Sequence, residues 1–226
     1  MGIRERQERD REAVRRAILD AARDLFTTEG YRHVSIRKIA ERIEYSPAAI
    51  YSYFPSKDDI FFALAEEGFH LLGDPATCAE AQAVPPLERI RAIFWRLYQF
   101  SREHPQYFEL MFLDRSVPRI NREYARFAFA RETRRHLVEE VQRGVEAGVF
   151  PVTLNAAVAV RLLIVGVLGV AVSVLSGRLA SGEDPDAVAS DVIDTTLAGL
   201  RSGVALKSRG LLGCAEPEPA AAERAS

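Results

Sequence analysis

The sequence is poor in several residue types on which whole classes of protein depend. Its 226 residues include two cysteines, two methionines and one tryptophan. The cysteines, Cys78 and Cys214, are far apart and form no CxxC pair, so the sequence does not support a secreted disulfide framework. We therefore expect a protein of the reducing cytoplasm.

Signatures of catalysis are missing as well. The sequence contains no GxSxG, no phosphate-binding P-loop, no GxGxxG after a strand and no HExxH. The four histidines, at positions 33, 70, 104 and 136, lack the spacing of metal ligands. An enzyme is therefore the weaker alternative, and we expect no catalytic residue, no metal and no cofactor.

The chain also lacks a strong overall charge and a long membrane-spanning run. Its formal net charge is −2, so a nucleic-acid partner must be sought in local segments. The apolar run from Leu162 to Leu175 has 14 residues and lies between Arg161 and Arg178. A spanning helix needs roughly 20 apolar residues. We therefore expect a helix buried in protein and no membrane partner.

What the sequence does contain is helical periodicity throughout, with no convincing strand alternation. Glycine, proline and capping serines divide the pattern into separate helices. The fold class predicted is therefore all-α. The first helix is predicted to end at Gly30, and short helices start after Ser35 and Ser46. Longer helices are predicted over 57–72, 86–103, 105–114, 119–148, 153–181 and 185–205.

The segment from Ser35 to Lys57 reads SIRKIAERIEYSPAAIYSYFPSK. Two short helices joined by a tight turn can bury its apolar side chains only if they cross, and the first helix must cover them. This is the helix-turn-helix arrangement, in which the second helix enters the major groove by its N-terminal end. The predicted small core comprises Ile39, Ala40, Ile43, Tyr45, Ile50 and Phe54.

The solvent face of this segment suits DNA. Small residues at the tip of the second helix allow close approach to bases, and hydroxyl groups and cations surround it. Residues 1–57 hold 12 Lys or Arg against 9 Asp or Glu, a local excess within an acidic chain. The candidate DNA-binding residues are Arg37, Lys38, Pro47, Ala48, Ala49, Tyr51, Ser52, Tyr53 and Lys57.

Over about residues 12–60 the sequence resembles the TetR family of transcriptional regulators. Matching positions in the second helix and after it are Ser46, Ile50, Tyr51, Tyr53, Phe54 and Lys57, and upstream Phe26, Gly30, Tyr31, Ser35, Ile36, Ile39 and Ala40. The resemblance implies that Arg37, Pro47, Ala48, Ala49 and Ser52 read bases, and that Tyr51, Tyr53 and Lys57 hold the DNA backbone.

One position departs from the family pattern. Glu44 occupies the turn position at which the family usually has glycine. If the residue keeps a positive φ there, the lack of glycine costs roughly 1 kcal/mol. We expect the fold to tolerate that cost.

Residues 87–137 are rich in aromatic side chains. Their helical spacing fits a solid core, and it also fits an apolar cavity with a few polar anchors. The resemblance favours the cavity, because family members hold an inducer among these central helices. The expected ligand is a small hydrophobic molecule. Its candidate lining residues are Trp95, Tyr98, Phe108, Met111, Phe112, Tyr124 and Phe127.

The apolar helix near residue 165 has too many apolar faces for one core contact to cover. Together with the helix that follows it, it suits a four-helix interface with a second copy, an arrangement that the resemblance also implies. An internal hairpin covered by the chain's own helices is the alternative. The candidate interface residues are Leu162, Val165, Gly166, Gly169, Val172, Val192, Thr196 and Leu200.

These observations predict four parts and one function. The parts are a flexible arm (1–10), a three-helix helix-turn-helix DNA-binding head (11–57), a larger helical ligand-binding and dimerisation body (58–206) and a disordered tail (207–226). The function expected from the resemblance is a homodimeric repressor that a small hydrophobic ligand releases from a palindromic DNA operator. The alternatives are an architectural DNA-binding protein without a ligand and, less favoured, a helical enzyme.

Overall fold

The computed structural model describes residues 2–73, 84–114 and 128–208, and within these ranges every regular element is a helix. The all-α prediction is confirmed. In chain order the elements are α1 (Ile3–Glu29), a 3₁₀ turn (Tyr31–His33), α2 (Ile36–Arg42), α3 (Pro47–Tyr51), α4 (Lys57–Leu72), α5 (Pro86–Glu103), α6 (Pro105–Phe108), a π-helical segment (Glu109–Leu113), α7 (Ala128–Glu146), α8 (Ala156–Leu175) and α9 (Pro185–Arg201).

Three serines start the helices that the sequence predicts. The hydroxyl oxygens of Ser35, Ser46 and Ser56 each accept a hydrogen bond of 3.2 Å from the backbone N–H three residues later. Each bond satisfies a donor that the first helical turn cannot pair internally. Helix α4 has the bounds that the sequence predicts, 57–72. Helix α5 has the predicted bounds as well, 86–103, and starts at a proline without a side-chain cap.

The N-terminal arm that the sequence predicts is helical in the structure. Residues 3–10, which the sequence analysis assigned to an arm, belong to α1. Arginine, glutamate and glutamine have high helix propensity, and the Glu5 carboxylate accepts a 2.8 Å hydrogen bond from the Gly2 N–H and caps the helix. The first helix is therefore long, and its start is exposed.

Several helix ends in the body also differ from prediction. The predicted helix over 105–114 is a short α-helix followed by the π-helical segment, and α7 is described only from Ala128. Helix α8 ends at Leu175 rather than at 181, and α9 ends at Arg201 rather than at 205, where Gly177 and Gly203 take positive φ. The predicted disordered tail lies outside the described residues from 209 onward.

One hydrophobic core runs from the head helices into the body. Ile60, Phe61 and Leu64 of α4 are fully buried between the two parts. Further along α4, Gly68 permits a close crossing, because a Cβ there would overlap the Met111 sulfur and lie 3.2 Å from the Tyr107 ring. Helix α4 is thus packed against the head at one end and against the body at the other.

Candidate nucleic-acid interface and ligand cavity

Helices α2 and α3 cross through a tight turn under the cover of α1. Ile39, Ala40 and Ile50 are completely buried, together with Ile18 of α1. The Tyr45 N–H donates to the Ala40 carbonyl oxygen at 2.9 Å and closes the turn. The helix-turn-helix geometry of the predicted segment is therefore present.

Glu44 takes a φ of 60° in this turn, the one positive φ of a non-glycine residue in the described part of the chain. An L-residue pays roughly 1–2 kcal/mol for this conformation. We expect Glu44→Gly to raise the free energy of unfolding by up to about 1 kcal/mol, after allowance for the greater entropy of glycine in the unfolded chain.

Urea unfolding of three variants checks this expectation. Glu44→Ala keeps the Cβ and should stay near the parent protein, whereas Glu44→Val should be the least stable because a branched side chain fits positive φ worst. A glycine variant less stable than the alanine variant would show that the turn is not strained.

The tip of α3 is open to solvent. Pro47 and Ala48 are exposed, Ala49 is half-buried, and the Tyr51 side chain is 55% exposed. The Ser52 hydroxyl is exposed too, although it donates to the Ala49 carbonyl oxygen at 2.6 Å. Small residues with an exposed tyrosine beside them leave room for a nucleic-acid backbone and base edges.

The structure corrects the predicted burial of Tyr45. The sequence pattern placed it in the small core, but its side chain is 44% exposed, just before the N-cap of α3. The turn at Glu44 rotates it outward, while Ile43 remains packed against the core. Tyr45 therefore joins the exposed face of the head, and helical periodicity missed it because periodicity does not continue through a turn.

Two predicted cations lie on the surface of α2. The Arg37 guanidinium donates to the Glu41 carboxylate at 2.8 Å, and the Lys38 ammonium pairs with Glu29. All four side chains are at least one-third exposed. Exposed pairs of this kind contribute little to stability, so both cations can exchange their carboxylate partner for a phosphate.

Lys57 is held inside the head. Its ammonium donates to the carbonyl oxygens of Tyr31 and Val34, both at 2.8 Å, and lies 4.1 Å from the centre of the Tyr31 ring. Burial lowers the pKa of Lys57. Two of its three donors are therefore used to fasten the start of α4 to the 3₁₀ turn.

The neighbouring contacts strengthen the same junction. The Tyr31 hydroxyl donates to the Asp58 carboxylate, and burial, followed by this carboxylate, raises the pKa of Tyr31. Tyr53 is half-buried, with the Arg11 guanidinium 6.0 Å from its ring centre. Tyr53 and Lys57 thus pack within the head, whereas the other seven predicted DNA-binding residues lie on or near its exposed face.

A cavity of about 320 Å³ lies between α4, α5, the π-helical segment, α7 and α8. Its walls are mainly aliphatic and aromatic, with arginines and one threonine among them. The described lining residues are Phe69, Leu72, Gly73, Ile93, Phe94, Arg96, Leu97, Phe112, Thr133, Arg134, Leu137, Ala157, Val160, Arg161 and Ile164.

The cavity borders the helices on which the sequence placed the ligand, but most of the predicted lining residues pack elsewhere. Of the five predicted lining residues that the structure describes, Phe112 lines the cavity. Phe108 is completely buried, Met111 packs against Gly68, and the Tyr98 hydroxyl donates to Asp186 of α9 at 2.6 Å. Trp95 lies beside Tyr98 and the Arg91 guanidinium. The remaining two, Tyr124 and Phe127, lie outside the described residues.

Helices α8 and α9 form the predicted apolar pair, with one face that none of the described residues covers. Val165 is 60% exposed, Gly169 is exposed, and four further predicted interface residues are half-buried: Leu162, Val172, Val192 and Thr196. The other two predicted interface residues face the chain itself. Leu200 is buried within the chain, and Gly166 faces α9, where an added Cβ would lie 2.9 Å from Val192.

Helix α8 is long and apolar enough to cross a membrane by length and composition alone. It has 20 residues, a mean hydropathy of 2.6 and 39% of its most apolar window buried. The helix is longer than the 14-residue apolar run because it begins at Ala156, and so includes Arg161 and the five residues before it. A core helix of a soluble protein passes the same test, so this feature is weak evidence for a membrane.

The residues that the structure describes contain no cluster of three or more His, Cys, Asp or Glu side chains placed to hold an ion. The features that bear on function are the exposed face of the helix-turn-helix head, the cavity in the body and the apolar face of α8 and α9.

Comparison with known families matches both parts of the chain. Residues 18–64 match the family model described as bacterial regulatory proteins, tetR family, and residues 90–196 match the tetracyclin repressor-like C-terminal domain. The two matches together span more than half of the chain, and the chain belongs to the TetR family. This is a family of regulators and not of enzymes.

Individual relatives agree with this assignment. The HTH-type transcriptional repressor Rv1474c of Mycobacterium tuberculosis is 46% identical over 55 residues, which cover 24% of this chain and 29% of the relative. The match thus spans less than a third of that protein's length. Among solved structures, the TetR family regulator PfmR of Thermus thermophilus is 24% identical with a TM-score of 0.64, covering 81% of this chain and 98% of PfmR.

A second solved structure has a ligand. FadR of Bacillus subtilis, solved in complex with stearoyl-CoA, has a TM-score of 0.64 and 18% identity, and the match covers 84% of this chain and 98% of FadR. At this identity the likeness establishes the fold of the chain, and the ligand is a property of FadR.

Proposed function

We propose that this protein is a DNA-binding transcriptional repressor that holds a palindromic operator as a homodimer. The observation that carries the proposal is the exposed α3 tip, which stands on a fully buried three-helix core and lies next to the cations of α2. A recognition helix must expose its N-terminal end to enter the major groove. Repression is the activity named for the relative that matches the head.

The uncovered face of α8 and α9 supports the homodimer. A row of apolar and small residues runs along α8 through Leu162, Val165, Gly169 and Val172, spaced at three or four residues on one side. A second copy turned about a two-fold axis would cover this row and form a four-helix interface. Two heads related by that axis match two half-sites of a palindrome.

Ligand control is proposed to act through α4. Phe69, Leu72 and Gly73 at the end of α4 line the cavity, whereas Lys57 at its start is fastened to the head. A ligand that favours one position of α4 would therefore change the separation of the two heads, provided that it binds that state more tightly. The expected ligand remains a small, largely hydrophobic molecule.

A second link between head and body accompanies α4. The Arg23 guanidinium of α1 donates to the Gln106 side chain at 3.1 Å and to the Tyr107 hydroxyl at 3.2 Å. The π-helical segment that starts two residues later carries Phe112, a cavity-lining residue. Movement at the cavity thus reaches the head by two routes, the α4 helix and the Arg23 contact.

Replacing Tyr51 with alanine tests the proposed DNA surface. Because the side chain is 55% exposed, its loss should leave the free energy of unfolding within about 0.5 kcal/mol. Loss of one phosphate or base contact should weaken operator binding by about tenfold or more. Fluorescence anisotropy with labelled operator measures the affinity.

Val152→Ala is the matched control, because Val152 is 88% exposed on the loop before α8 and far along the chain from the head. It should bind operator like the parent protein. Equal operator affinity of Tyr51→Ala and Val152→Ala would place the DNA contact elsewhere.

A further inference from the structure

The charged residues among the described lining of the cavity are all positive. Three arginines line it, Arg96, Arg134 and Arg161, and the described lining residues include no aspartate or glutamate. The Arg96 guanidinium is already used, because it donates to Glu103 at 2.6 Å and to the Leu71 carbonyl oxygen at 3.2 Å. The remaining two arginines form no ion pair with any residue that the structure describes.

A buried hydroxyl lies beside them. Thr133, next to Arg134 on α7, is 7% exposed, and its Oγ1 has no hydrogen-bond partner among the described residues. A buried polar group without a partner costs free energy and needs an explanation such as a missing ligand group. Thr133 lines the same cavity as the two arginines.

The rest of the wall is suited to an apolar chain. Helix α8 contributes Ala157, Val160 and Ile164 at spacings of three and four, so one helical face covers one side of the cavity. Phe69 and Phe112 add an edge-to-face pair of rings, 6.3 Å apart between centres. An apolar body would lie along these surfaces, while Arg161, on the same face of α8, is available to an anionic group.

We infer that the cavity binds an amphipathic anion, a molecule with one apolar body and one carboxylate. The carboxylate accepts hydrogen bonds from the Arg134 and Arg161 guanidinium groups and from the Thr133 hydroxyl, and the apolar body lies against α4, α5 and α8. An uncharged molecule of the same shape forms no ion pair with Arg134, which is exposed, or with Arg161, which is half-buried, and it leaves the buried Thr133 hydroxyl without a charged acceptor. A cationic molecule is repelled. The inference names the ligand class for the cavity of the proposed function and rests on that function only for the effect on DNA.

Calorimetry with three molecules of equal chain length tests the inference directly. Decanoate, 1-decanol and decyltrimethylammonium are titrated into the full-length protein below the concentrations at which they form micelles. Decanoate should bind at least about tenfold more tightly than decanol, because charge-assisted hydrogen bonds are the stronger ones. The cation should bind weakest. Equal binding of decanoate and decanol would overturn the inference.

Variants connect the preference to the named groups. The double variant Arg134→Gln/Arg161→Gln should lose the preference for decanoate over decanol. Arg135→Gln should keep it, because Arg135 lies on the same helix, pairs with Glu132 and Glu139 at the surface, and does not line the cavity. A double variant that keeps the full preference would contradict the inference.

Thr133→Val separates a ligand contact from a structural role. Valine fills the same space without the hydroxyl, so the free protein should become slightly more stable as an unpaired buried group is lost. Decanoate affinity should fall in the same variant. Greater stability with unchanged decanoate affinity would remove Thr133 from the site.

The ligand class and the DNA function can fail separately. Operator affinity of the same variants, measured without decanoate, should equal that of the parent protein. If decanoate does not bind while operator binding is intact, the ligand class is wrong and the DNA-binding proposal stands. If decanoate binds as described and no operator is found, the ligand class stands and the proposed function fails.

Discussion

Replacing Lys57 with methionine should weaken both the head of the protein and its binding to DNA. The ammonium donates to two carbonyl oxygens at 2.8 Å, and methionine cannot donate at all. Hydrogen bonds from a charged donor contribute about 1.5–3 kcal/mol each, and the contact with the Tyr31 ring adds roughly 0.5–1 kcal/mol. Water can replace part of this, so we expect a loss of about 2–3 kcal/mol in the free energy of unfolding.

The effect on DNA binding follows from position. Lys57 fastens the start of α4 to the 3₁₀ turn. Its loss releases the junction that holds the recognition helix relative to the body. Operator affinity should fall at least about tenfold, because a misplaced recognition helix loses several contacts at once. Urea unfolding and fluorescence anisotropy measure the two quantities on the same preparation.

Lys38→Met is the matched control, since Lys38 is also a lysine of the head but pairs only with Glu29 at the surface. Its unfolding free energy should stay within about 0.5 kcal/mol of the parent. If Lys38 contacts a phosphate, the salt dependence of operator binding should weaken by about one counterion. A Lys57→Met protein with full stability and a reduced salt slope would instead support the role first predicted for Lys57, a direct contact to the DNA backbone.

Replacing Val165 with aspartate should separate the dimer. The side chain is 60% exposed in the single chain and lies in the middle of the proposed α8 interface. A carboxylate placed between two apolar helices loses its hydration and gains no partner. The two-fold axis also brings the second copy's carboxylate into the same interface. We expect the dimer dissociation constant to rise by at least about 100-fold.

Operator affinity should fall when the dimer dissociates, because a single head contacts one half-site only. Sedimentation equilibrium reports the assembly, and anisotropy with one-half-site and two-half-site DNA reports the binding. Val152→Asp introduces the same charge at a valine that is 88% exposed on the loop before α8. It should remain dimeric. If Val165→Asp sediments like Val152→Asp, the interface lies on another surface.

The parts of this structure that the sequence predicted are those governed by neighbouring residues. Ser46 followed by Pro47 marks the start of α3 because a hydroxyl acceptor and a fixed φ suit the first turn. Glu44 takes the positive φ on which the expected cost of the missing glycine depends. Both features depend on a few adjacent residues, and the predicted start of α3 is confirmed.

The parts that the sequence missed depend on pairs far apart in the chain. Phe108 and Phe112 have the same chemistry and lie one helical turn apart, but one is buried and the other lines the cavity. A π-helical segment between them changes the face that each presents. Arg134, Arg161 and Thr133 were missed because polar residues on helices usually face solvent, and only the packing of α7 against α8 brings them to one cavity.

The same limit explains why two residues predicted for the proposed dimer surface are covered by the chain itself. Leu200 and Val192 lie on one apolar stripe of α9, and composition does not show which of them its own chain covers. Lys57 was predicted from its place in a motif to contact DNA. The structure gives it two carbonyl partners, 23 and 26 residues earlier in the chain.

We expect this protein to read a specific DNA sequence. The most direct test is the affinity of the purified protein for the DNA upstream of its own gene, and for sites selected from random DNA, across a series of salt concentrations. We predict binding at least about a thousandfold tighter to a selected palindrome than to unrelated DNA, weakening steeply as salt rises. Binding that ignores sequence in both pools would contradict the claim.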